Sequence, residues 1–116
     1  MFLQLNHQKL DVFTVAKSFT HECYKFTTSL PPSEKFNMVQ QVRRAALSVY
    51  LNIAEGCSRK SLTERRRFFE ISRGSIIEID AVLDLSTELN YSKKENMLLL
   101  GELMERTFSM LSKMQR

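Results

Sequence analysis

The sequence predicts an all-α fold, an antiparallel up-down-up-down four-helix bundle, on three observations. Apolar residues recur at three- and four-residue steps in four successive segments, a spacing that gathers them on one face of a helix. Residues that start or stop helices stand at the ends of those segments. Only 3 Gly and 2 Pro occur in 116 residues, too few for an all-β domain with many turns. The segments are of comparable length and the connections short, which favours antiparallel neighbours over a long crossover. A single domain spanning residues 1–116 is expected from the length.

In the first helix Val12, Val15, Ala16, Phe19, Cys23 and Phe26 form the buried stripe. Asp11 is the expected N-cap, and Pro31-Pro32 predict a stop near Ser29 or Leu30, since proline lacks an amide donor and restricts the residue before it. The second helix is expected from a Ser33 cap, with Glu34 beside the positive end of the helix dipole, to Glu55. Its core residues are Met38, Val42, Ala45, Val49 and Ile53, flanked by Ala46, Tyr50 and Ala54. Gly56 is read as the left-handed residue just past its end.

Ser61-Leu62-Thr63-Glu64 has the pattern of a capping box and opens the third helix. Its stripe is Phe68, Ser72, Ser75, Ile76, Ile79, Val82, Leu83 and Leu89, with Gly74 marking a tight helix contact. A second box, Ser92-Lys93-Lys94-Glu95, restarts the chain for the fourth helix. That helix carries Met97, Leu100, Met104, Thr107, Phe108, Leu111 and Met114. Leu47, Leu51, Ile77 and Leu85 fall outside these stripes. Gathered on one side, they would form a patch that a second copy could cover.

The chemistry-bearing residues are sparse. His7 and His21 lie far apart, Cys23 and Cys57 belong to no Cys-x-x-Cys unit, and no Glu-x-x-His pattern occurs, so neither metal nor cofactor is expected. Phosphate-gripping glycine loops, HExxH and nucleophile elbows are missing from the sequence, and a non-enzymatic protein is predicted. The start of the chain lacks the charged and apolar regions of a signal peptide. The richest apolar run, Ala45 to Ala54, is too short to span a bilayer. A cytoplasmic protein with unpaired thiols and no membrane partner is the expectation.

Charge is more informative. The chain carries +4 overall, yet the stretch from Lys35 to Arg73 holds nine basic residues against Glu55, Glu64 and Glu70, a net +6. The candidate nucleic-acid-binding residues are Arg59, Lys60, Arg65, Arg66, Arg67 and Arg73, at the corner between the second and third helices. Successive residues turn by about 100° on a helix, so Arg65, Arg66 and Arg67 cannot all face one partner. That geometry suits a diffuse cationic collar for phosphates, or equally a solvated surface laced with internal ion pairs. A second group, Arg43, Arg44, Ser48, Asn52, Glu55, Ser75 and Glu78, interrupts the apolar pattern of helices two and three. It is expected to form a structural polar network, with Arg43 or Arg44 facing a buried Glu78.

Gln41-Val42-Arg43-Arg44-Ala45, Ser48 and Asn52-Ile53-Ala54-Glu55-Gly56 resemble the bacterial four-helix-bundle family associated with intervening sequences in 23S ribosomal RNA genes. The likeness continues through Arg59, Phe68, Arg73-Gly74-Ser75 and Glu78, and includes the opening Lys9-Leu10-Asp11-Val12-Phe13. Phe13 stands where the family often has tryptophan, and Ser72 where it often has alanine. The resemblance implies a cyclic homopentamer with no established enzymatic role. The family is in turn similar to the accessory protein of diversity-generating retroelements, a basic pentamer associated with nucleic acid and reverse transcriptase. From these readings the expected function is an oligomeric nucleic-acid-associated or ribonucleoprotein scaffold, partnered by RNA or DNA and by a nucleic-acid-processing protein. The alternative is a protein-protein interaction module that binds no nucleic acid directly.

Overall fold

The computed structural model describes residues 1–115, and among them the regular structure is helical throughout. Four helices, α1 (Asp11–Thr27), α2 (Met38–Ser58), α3 (Leu62–Glu88) and α4 (Leu98–Met114), are joined by short connections; 3-10 turns precede α1 and lie in the α1–α2 and α3–α4 connections. Each helix packs on its chain neighbour, and α4 closes against α1, which is the expected up-down-up-down bundle. One apolar core runs through all four. Phe19 from α1, Val42, Val49 and Ile53 from α2, Ile76 and Ile79 from α3, and Leu111 from α4 are almost wholly removed from water.

The helix ends depart from the sequence reading in instructive ways. Asp11 is the first helical residue and makes no cap bond; Leu10 takes the cap position, leaving Asp11 to act on the helix dipole. α1 closes at Thr27 because the following amides bond three residues back, Ser29 N to Phe26 O at 3.0 Å and Leu30 N to Thr27 O at 3.3 Å. Ser33 does not cap α2. Pro32–Glu34 form a 3-10 turn, and α2 starts only at Met38, whose amide donates to Glu34 Oε1 at 3.4 Å.

At the other end, α2 runs through Gly56 to Ser58. No described glycine has a positive φ, so Gly56 serves a close approach and not a left-handed turn. A Cβ there would lie 2.6 Å from Phe69 Cε1 and 3.1 Å from Phe68 Cβ. The same contact explains a one-residue error in the α3 stripe: Phe69 fills the core at 2% exposure, while Phe68 is only half-buried.

Ser61 does cap α3, its Oγ accepting from Glu64 N at 3.1 Å. The C-terminal stop of α3 lies in Asn90, the one described non-glycine residue with positive φ, at 61°. Tyr91 N donates to Ser86 O at 2.9 Å and Asn90 N to Thr87 O at 3.0 Å, the paired bonds of a Schellman motif. This motif draws Ser92 inward, where its Oγ lies 2.7 Å from Ser86 Oγ. Ser92 is therefore unavailable as a cap, and α4 begins later, after the 3-10 turn Lys94–Met97. Leu103 joins the α4 core stripe and Leu89 drops out of the α3 one.

Leu47, Leu51, Ile77 and Leu85 are all exposed, as the pattern requires, but they do not gather on one side. Leu47 lines a cleft between α1 and α2, whereas Ile77 lines one between α3 and α4. No described helix is long and apolar enough to cross a membrane.

Candidate nucleic-acid interface

The corner between α2 and α3 is a sharp one. Arg59 is extended at the end of α2, its amide bonding back to Gly56 O at 3.3 Å, and Ser61 already caps the next helix. Such a short connection forces the first turn of α3 against the last turn of α2, which brings Arg59 and Lys60 of the connection beside the arginines that open α3.

Three of the six candidate cations also hold the fold. Arg65 donates from Nη1 to the carbonyls of Cys57 and Arg59, each at 3.4 Å, and its guanidinium lies 6.0 Å from the Phe69 ring centre. It bridges the connection from the α3 side. Arg59 pairs with Glu55 at 3.1 Å and lies over the Phe68 ring at 5.0 Å. This i,i+4 pair is solvent-exposed, so it contributes little, about 0–1 kcal/mol, and leaves the guanidinium accessible. Arg73 faces the other way. Its Nε donates to Ser112 Oγ at 3.1 Å, its guanidinium stacks over Phe108 at 4.6 Å, and Glu70 stands 3.6 Å from Nη1. Arg73 belongs to the α3–α4 seam, apart from the corner.

Lys60, Arg66 and Arg67 are exposed around the corner. The antiparallel order adds Lys9, in the turn before α1, and Lys113, in the last turn of α4, to the same end of the bundle. It also carries Arg43 and Arg44, in the first half of α2, and Lys35, in the connection before it, toward the opposite end of the bundle. The collar is thus assembled from different residues than the contiguous +6 stretch. Reading the topology together with the charge map would have found Lys9 and Lys113.

The polar network also divides. Ser48, Asn52 and Ser75 come together: Ser75 Oγ donates to Ser48 Oγ at 3.0 Å, and Asn52 Nδ2 donates to Ser48 O and Oγ at 2.8 and 3.1 Å. Ser72, absent from the expected set, is the most buried member of this seam, its Oγ donating to Val49 O at 2.5 Å. Its signal was its place in the apolar stripe.

The expected Arg–Glu78 pair does not form. Arg43 turns toward α1, donating from Nε to Thr27 Oγ1 at 2.9 Å and stacking on Tyr24 at 5.0 Å. Arg44 is exposed. Glu78 is exposed as well and accepts from Gln41 Nε2 at 3.4 Å, so water solvates its charge and no buried cation is needed. Glu55 serves Arg59 and does not bond to Asn52.

Both cysteines are free. Burial pushes the Cys23 thiol up to about 12, with the Glu22 carboxylate adding to the effect. Burial raises the Cys57 thiol too, against a smaller opposing pull from Arg65. Neither is an activated nucleophile at neutral pH. No group of three or more His, Cys, Asp or Glu among the described residues is placed to hold a metal ion.

The family model of the 23S rRNA-intervening sequence protein matches residues 8–113. The chain belongs to that family. The match begins just before α1 and ends within the last turn of α4, so it includes every helix and the whole α2–α3 corner. A comparison with curated protein sequences finds no match. The family's name ties it to intervening sequences of 23S rRNA, and the α2–α3 corner is its most basic feature in this member.

Proposed function

We propose that this member of the intervening-sequence family is a non-enzymatic, oligomeric scaffold that holds RNA or DNA by its phosphates. One observation carries the reading: Arg59, Lys60 and Arg67 are exposed at a single end of the bundle, and Lys9 and Lys113 come to that same end from distant parts of the sequence. Arginine and lysine on a convex helix end meet phosphate oxygens without reading base edges, so affinity without strong sequence preference is expected. A cyclic homopentamer, as the resemblance to the intervening-sequence family implies, would repeat the patch around an axis. Weak single contacts then add up through avidity. A nucleic-acid-processing protein would be recruited by the same assembly.

Titration of fluorescent RNA and DNA with the assembled protein over a salt series tests this. Lys60→Ala with Arg67→Ala is expected to weaken binding on every sequence and to lower the salt slope by about one per lost phosphate contact. No binding by the assembled protein at low salt overturns the proposal. The second reading, a protein-protein interaction module, draws support from the Arg59–Glu55 and Arg73–Glu70 pairs, which satisfy part of the charge internally.

A further inference from the structure

Two clefts lie on opposite sides of the bundle and differ in charge. The first, about 480 Å³, opens between α1 and α2, with Tyr24, Leu47 and Tyr50 as its apolar walls and Lys17 and His21 on its rim. Arg43, stacked on Tyr24, adds a further cation beside it. No described carboxylate lines it. The second, about 490 Å³, opens between α3 and α4, where Asp80, Asp84, Glu102 and Glu105 surround a floor that includes Leu83 and Met104. Only Lys94 opposes these four carboxylates within the lining, and none of the four has an ion-pair partner among the described residues. Both sides expose large apolar groups: Leu47 on the first, Leu98 and Ile77 on the second.

We propose that the α1–α2 cleft of one copy receives the α3–α4 face of the next, a head-to-tail contact between unlike surfaces. Pairing either side with itself would set like charges against each other, which is costly across an interface. Pairing one with the other sets Lys17 and Arg43 among the carboxylates and removes Leu47, Leu98 and Ile77 from water. A heterologous contact of this kind closes into a ring when the rotation per copy divides a full turn, and otherwise grows as a filament. It also leaves the α2–α3 corner uncovered in every copy, available to a polyanion. The inference rests on the oligomeric part of the reading above and names the surfaces that would produce it.

Light scattering on the full chain gives the test. Lys17→Glu with His21→Glu, and separately Asp84→Lys with Glu102→Lys, are each expected to reduce the wild-type oligomer to monomer, with helical circular dichroism retained. Combining all four substitutions in one chain exchanges the charges across the contact and is expected to restore assembly. Zero-length carbodiimide coupling of the wild type provides a measurement independent of any variant. A link from Lys17 to Asp84 must join two copies, because α3 lies diagonally across the bundle from α1; Glu102 does not serve here, since Lys17 also lines a cleft beside Leu99 and Leu103 of α4. A wild-type monomer defeats the oligomeric reading itself. A wild-type oligomer that keeps its mass in both reversals, stays dissociated in the four-fold variant, or gives no such link overturns the head-to-tail contact alone.

Discussion

The two seams of α3 are built in contrasting ways from the same helix. Against α2, α3 presents Ser72 and Ser75, and α2 answers with Gly56 and Ser48; the helices come close enough for side-chain hydroxyls to bond across the gap. Against α4, α3 presents Asp80 and Asp84, and α4 answers with Glu102 and Glu105, leaving a cleft between them. Small residues set a short interhelical distance, while like charges stay solvated and hold the surface open. One seam is closed by packing, and the other stays an open, acidic cleft.

That contrast can be broken most severely at Gly56. Gly56→Ala is expected to destabilise by about 1–3 kcal/mol, even though alanine favours a helix by about 1 kcal/mol, because the Phe69 ring must move within the core. Urea denaturation measures it, and an unchanged midpoint would mean that the seam can relax. Next in size is Ser72→Ala, which removes the buried bond to Val49 O. Its expected loss is about 1 kcal/mol, since Val49 O keeps its place in the α2 ladder.

The open seam should respond in the opposite direction. A Cβ on Gly101 meets nothing within 4 Å. Gly101→Ala is therefore expected to gain up to about 1 kcal/mol, seen as a raised thermal midpoint. Comparing that gain above and below the concentration at which the protein assembles sharpens the contrast: a gain that turns to a loss on assembly would show another copy covering Gly101. The smallest effect is expected at Glu78→Ala, within about 0.5 kcal/mol, because an exposed carboxylate accepting from Gln41 is replaced without leaving a buried charge. A loss of several kcal/mol in a melting experiment would restore a structural role for that carboxylate.

The sequence was most legible where one residue type has one local use. Ser61 before Glu64 is an N-cap wherever the chain around it is free to enter a helix, and the core stripes of α1 and α2 follow from period alone. It was less legible where two roles compete for one side chain. Ser92 had the spacing of a cap, yet the Schellman turn at Asn90 pulls it toward Ser86. Gly56 looked like a helix end because glycine favours left-handed turns, but its missing Cβ is used for contact. Arg43 had Glu78 as a candidate partner on charge grounds, and Thr27 with Tyr24 took it because the rotation of α2 points it at α1. Within the candidate interface, Arg59, Lys60 and Arg67 were readable as cations near a corner. Lys9 and Lys113 were not, since they are far away in sequence.

By itself the sequence determined that there are four helices, most of the stripe that each one buries, and that the α2–α3 corner is basic. These are properties of the 3.6-residue period, of caps and of formal charge, all of which act within a few residues along the chain. The tertiary structure decided which helices touch closely and which stand apart, which arginines are tied to aromatic rings and carbonyls, and which charges share an end of the bundle. Those outcomes depend on helix rotation and interhelical distance, and both are set by the sum of contacts between segments that the linear pattern treats as independent.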